Sequence, residues 1–103
     1  MRRYHDHLME VLKDPEEAAA YLNAVLEDGH PKMFLIALRD VAEAQGGLLR
    51  LSKKTKMSRA NLYKMLCKSG HPEVQSLYKV LLAFGLSLSV SVKSDKKQLR
   101  KAA

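Results

Sequence analysis

From Leu8 to Phe84 the apolar residues of this chain recur every three or four positions, and from Leu86 the spacing drops to two. A period near 3.6 belongs to a helix with one buried face, and a period of two to a half-buried strand. The chain is therefore expected to be a small all-α bundle ending in a single β-strand. At 103 residues it has room for one domain and a modest core.

The helices carry their own stop and start signals. In "LKDPEEAAAYLNAVLEDGHP" Asp14 is a good N-cap, Pro15 suits the first helical position, and Glu17 is placed to close a capping box. Ala18, Leu22, Val25 and Leu26 form the apolar stripe, and Gly29 ends it. Leu8, Val11 and Leu12 predict a shorter helix before it. Pro31 opens the next, with Phe34, Leu35, Leu38, Val41 and Ala42 on one face and Gly46-Gly47 at its end. Two short helices follow. Leu48, Leu51, Ser52 and Thr55 share a face on the first, Leu62, Met65 and Leu66 on the second, with "TKMS" between them and Ser58 as a cap. A last helix is predicted from a Ser76 cap, with Leu77, Val80, Leu81 and Phe84 inward and Gly85 at its close.

In "LSLSVSVK", residues 86–93, Leu86, Leu88, Val90 and Val92 alternate with serines and a lysine. No second strand is evident, and a lone strand leaves its backbone groups unpaired. The expected partner is the same strand of another copy, so these four residues are the predicted dimerisation surface. Residues 1–93 then form one domain, and 94–103 a basic, disordered tail.

Charge is unevenly distributed. The net charge is +7, yet residues 1–46 hold five Lys/Arg against nine Asp/Glu. Residues 47–72 hold seven (Arg50, Lys53, Lys54, Lys56, Arg59, Lys64 and Lys68) and no acid. A compact basic segment is the footprint of a phosphate-binding surface. Two helices around a tight turn are the elements of a helix-turn-helix, whose second helix reads base edges in the major groove. With Leu62 inward, Ala60 and Lys64 point away from the core, Asn61 and Tyr63 lie on the flanks, and Arg59 reaches out from the first turn. Arg pairs with guanine, Asn with adenine, and Ala meets a thymine methyl. Arg59, Ala60, Asn61 and Lys64 are thus the predicted base contacts, and Lys53, Lys54, Lys56, Ser58 and Tyr63 the predicted phosphate contacts. Spacing alone fits a solvated basic face equally well; the lack of acids favours double-stranded DNA.

The run "YLNAVLEDGHPKMFLIALRDVAEAQGG…LSKKTKMSRANLYKML…GHPEVQSLYKVLLAFGLSLSV" resembles the addiction-module antidote proteins with an Xre/Cro-like helix-turn-helix. The resemblance spans roughly residues 12–93 and rests on "YLNAVLEDG", "FLIALRDVA" and "SRANLYKML" in that order. It implies a lambda-repressor-like bundle, and an antitoxin that represses its own operon as a homodimer and neutralises a small toxin of the RelE/ParE-like class. The two-fold axis of a strand-paired dimer predicts a palindromic operator, and the acidic N-terminal half predicts a basic toxin. Many such sequences have Gly where this one has Lys56, which demands a left-handed conformation at some cost, and Ala where it has Ser52. Two readings compete: a prophage-type regulator without a toxin, and a protein-interaction module that binds no DNA.

Other chemistry is poorly supported. Cys67 is the only cysteine, so neither an intrachain disulfide nor a cysteine-based metal site is expected. His5 and His7, two apart, do not share a helix face, and His30 and His71 each precede a proline. Nothing supplies Cys67 with a base, and the pairs Glu16/Glu17 and Glu27/Asp28 suit capping and solvation. No enzyme, cofactor or metal is expected. Without a signal peptide or a membrane-length apolar run, a cytoplasmic protein is expected.

Overall fold

The computed structural model describes residues 2–93. Six helices follow one another: α1 Arg2–Val11, α2 Pro15–Glu27, α3 Pro31–Ala44, α4 Gly47–Thr55, α5 Arg59–Met65 and α6 Val74–Ala83. The predicted tail, 94–103, lies outside the described residues.

Local chemistry accounts for most of the boundaries. The Asp14 carboxylate accepts the Glu16 N–H at 3.0 Å, and Pro15 begins α2. Glu17 does not complete a capping box, because the Asp14 N–H already donates to the Val11 carbonyl at 3.2 Å. Pro31 likewise begins α3, and Gly46 and Gly47, both at positive φ, turn the chain into α4. The start of α6 differs from expectation. Glu73 rather than Ser76 precedes it, so Ser76 lies within the first turn.

α3 is the centre of the bundle and packs against α1, α2 and α4, while α4 also carries α5 and α6. Leu12, Leu38, Val41, Leu62, Leu66 and Val80 are fully buried, joined by Leu22, Leu35, Leu51, Leu81 and Phe84. Truncating one of these leucines to alanine costs about 2–5 kcal/mol. Leu26, placed in the inward stripe of α2 by its spacing, is instead half-exposed beside Gly29 and Phe34, where the helix runs past the core. The Tyr21 hydroxyl ties α2 to α3 by donating to Asp40 at 2.7 Å. Burial, then that hydrogen bond, push the Tyr21 phenol above its usual range.

The end of α6 fixes how the period-two segment leaves the bundle. Gly85 has φ +83°, its N–H meets the Leu82 carbonyl, and the Leu86 N–H reaches back to Leu81, both at 2.9 Å. This is a Schellman end, and its hydrophobic partner Leu86 packs on the core. Beyond it the chain is irregular. Among the described residues there is no strand. Leu88 stands half-exposed, and Val90 and Val92 are 97% and 89% exposed. A strand needs a neighbour for its backbone groups, and the single chain offers none. Leu77, Leu81 and Phe84 face the bundle's own core, and the outer side of α6 presents Val74, Tyr78 and Leu82.

Candidate nucleic-acid interface

The turn between α4 and α5 is held by two hydroxyls. Thr55 is nearly buried; its Oγ1 donates to the Leu51 carbonyl at 2.8 Å and accepts the Met57 N–H at 3.2 Å. The Ser52 hydroxyl donates to the Met57 carbonyl, so both backbone groups of Met57 are engaged by α4 side chains. Lys56 takes the left-handed conformation, φ 63° and ψ 23°, and its N–H closes α4 on the Ser52 carbonyl at 2.8 Å. It is the only non-glycine residue at positive φ among the described residues.

From this turn α5 emerges with one face fixed. Ser58 Oγ accepts the Asn61 N–H at 3.0 Å, which caps the helix and leaves the hydroxyl proton free to donate outward. Leu62, Met65 and Leu66 anchor the inner side. Arg59, Ala60, Asn61 and Lys64 are all exposed on the outer side and flanks. Arg59, near the core side by helical angle, is free in solvent because α5 begins at that residue and nothing packs over it.

The three lysines around the turn separate into two groups. Lys53 and Lys56 are exposed around the turn. The Lys54 ammonium lies 3.5 Å from the Ala83 carbonyl, at the C-terminal end of α6 where a cation is favoured, which draws it toward that helix. Tyr63 is 57% exposed, and its ring lies under the Arg39 guanidinium, 5.2 Å from centroid to Cζ. Arg39 belongs to α3, and no spacing in the sequence points to it. Only the fold, in which α4 packs against both α3 and α5, brings it beside Tyr63.

A shallow groove of about 500 Å³ runs beside α5 and is lined by Asn61, Lys64, Met57, His71, Ser76 and one acid, Glu73. Its wall depends on Gly70, where a Cβ would come within 2.2 Å of the Met65 carbonyl. Only a residue without a side chain lets the 67–73 loop cross the end of α5 so closely. The Cys67 thiol sits at this crossing and donates to the Lys64 carbonyl at 3.0 Å. Its pKa is lowered, first by the Ser69 hydroxyl and least by the charge of Arg39. Among the described residues no three His, Cys, Asp or Glu side chains gather in a metal-binding arrangement. No helix there is long and apolar enough to cross a membrane.

These elements define a small helical protein with a basic face, bordered by Glu73, built on two helices and a hydroxyl-stapled turn. Over residues 4–92 the chain matches the family described as probable addiction module antidote protein, and it belongs to that family. Membership implies an antitoxin role and a toxin partner, which is a regulatory rather than a catalytic task. An uncharacterized protein of Haemophilus influenzae is 33% identical over 81 residues, covering 79% of this chain and 82% of the relative. No solved structure matches the chain significantly.

Proposed function

We propose that this antidote protein is a dimeric, sequence-specific DNA-binding repressor of its own operon that also neutralises a RelE/ParE-like toxin. In this reading α4 and α5 are a helix-turn-helix of the Xre/Cro type. The observation that carries it is the exposed surface of Arg59, Ala60, Asn61 and Lys64 on a helix anchored by Leu62, Met65 and Leu66, in a segment without acids. Arg59 and Asn61 have the side chains that pair bidentately with guanine and adenine, and Ala60 can meet a thymine methyl. Lys53, Lys56, Ser58 and Tyr63 border them as phosphate contacts. Lys54 adds to the positive field, although its ammonium also serves the end of α6.

The second copy is recruited by residues 86–93. Leu88, Val90 and Val92 stand in solvent in the single chain, and antiparallel pairing of this segment across a two-fold axis would satisfy its backbone groups. Such a dimer presents two α5 helices to successive major grooves, so the operator is a palindrome with half-sites about 34 Å apart. The acidic half, with nine Asp/Glu in residues 1–46, complements a small basic toxin.

Competition between the region upstream of its own gene and a random duplex of equal length tests this function. A specific preference that Asn61→Ala weakens by about 1–3 kcal/mol supports it. Equal affinity for both duplexes would leave a module that binds nucleic acid or protein without reading sequence. Specific binding with no toxin recovered from the native host would leave a regulator of the prophage type.

A further inference from the structure

Arg39 is the one cation of α3 that faces α5, and its surroundings differ from those of a solvated surface arginine. Two acids lie within reach on its own helix, and both are engaged elsewhere. Asp40 accepts the Tyr21 hydroxyl at 2.7 Å, and Glu43 meets His5 of α1 at 2.8 Å. An Arg–Glu pair four residues apart is an ordinary helix contact, yet here Glu43 turns to α1 and Arg39 turns to Tyr63. Among the described residues Arg39 has no carboxylate partner. α3 thus sends its acids toward α1 and α2 and its arginine toward the basic face.

A guanidinium over an aromatic ring is held in place while its in-plane N–H donors stay free, the state that suits bidentate capture of a phosphate. By helical spacing Tyr63 and Asn61 lie on opposite flanks of α5. Arg39 therefore extends the basic surface onto the flank of Tyr63. We propose that Arg39, held over Tyr63, binds a backbone phosphate beside α5, so that DNA is gripped by α3 as well as by the turn and α5. The inference rests on the DNA-binding reading above. A phosphate contact from a second helix, on the flank away from Asn61, limits how far α5 can roll in the groove. Tyr63 is then a positioning residue for Arg39 as well as a contact in its own right.

The test is the salt dependence of binding, measured by fluorescence anisotropy on a random-sequence duplex and on the region upstream of the gene. Arg39→Gln is expected to lower the magnitude of the log K against log salt slope by about 0.9 for each protomer bound, on both duplexes. Arg39→Lys keeps the charge and is expected to restore the slope, which separates lost contact from lost fold. Tyr63→Phe removes the hydroxyl's own phosphate contact, so it is expected to weaken binding, but it keeps the ring under Arg39 and with it the slope. In a Tyr63→Leu background Arg39→Gln is expected to weaken binding less than it does beside the intact ring. An equal effect in both backgrounds would overturn the positioning role, and an unchanged slope in Arg39→Gln would overturn the phosphate contact. If the wild-type protein binds neither duplex, the functional reading itself fails. If it prefers its own upstream region while Arg39→Gln keeps the full slope, the Arg39 assignment alone is wrong.

Discussion

Replacing Thr55 by valine tests whether the hydroxyl staple sets the geometry of the basic face. The two side chains have nearly the same shape, so packing at this nearly buried site is kept and only the hydroxyl chemistry changes. The Leu51 carbonyl retains its helical partner, because backbone bonding within α4 is untouched. The Met57 N–H fares worse, since Thr55 Oγ1 at 3.2 Å is its acceptor and Met57 is half-buried. An unsatisfied donor costs about 1–3 kcal/mol, and a lost bond to the carbonyl about 0.5–1.5. The added methyl returns up to about 0.8 kcal/mol of apolar burial. The expected net loss is about 1–4 kcal/mol. For a domain of this size each kcal/mol moves Tm by about 4–8 °C, so a fall of at least about 4 °C is expected in thermal melts followed by circular dichroism. All variants should be compared at one protein concentration, because the proposed dimer would make Tm depend on it. Ser52→Ala is the contrast. It frees the Met57 carbonyl, which has a second lone pair and some access to water, and it gains helix propensity, so its cost should stay below about 0.5 kcal/mol. A Thr55→Val protein that melts at or above the wild-type temperature would refute the staple.

Three further outcomes follow from the same geometry. Lys56→Gly relieves a left-handed residue worth about 1–2 kcal/mol but adds about 0.5–1 of chain entropy, so a small rise in urea midpoint is expected. Gly70→Ala forces a Cβ onto the Met65 carbonyl and should cost about 1–3 kcal/mol by chemical denaturation, with the end of α5 losing amide-exchange protection first. The raised Tyr21 phenol contributes stability that is complete below the unfolded value, about 10, and is lost as pH rises through the folded one. Tyr21→Phe should therefore flatten the alkaline fall in stability, and an unchanged alkaline limb would count against the Tyr21–Asp40 bond.

Most of the helical plan was legible in the sequence because its signals are local. Asp14-Pro15, Pro31, Ser58 and Gly85 act through neighbours one to five residues away, and the 3.6-residue stripes mark which faces are buried. The outer positions of α5 were readable for the same reason, since Leu62, Met65 and Leu66 orient the helix by spacing alone. Local signals also misled where tertiary contacts competed. The Asp14 N–H went to Val11 rather than to Glu17, and Leu26 kept the helical period while lying past the edge of the core. Ser76 looks like a cap, yet α6 already begins at Val74.

The tertiary structure decided what lies far apart in the chain. The packing of both α3 and α5 on α4 brought Arg39 over Tyr63, and packing of α4 on α6 drew Lys54 to the Ala83 carbonyl. The crossing of the 67–73 loop over Met65 gave Gly70 its task. No periodicity encodes such meetings, because each depends on the angle at which two helices come together. The period-two segment stands between these cases. Its alternation is written in residues 86–93, but a strand exists only where a neighbour accepts its backbone bonds. The fold of one chain supplies a place for Leu86 and leaves Leu88, Val90 and Val92 in solvent.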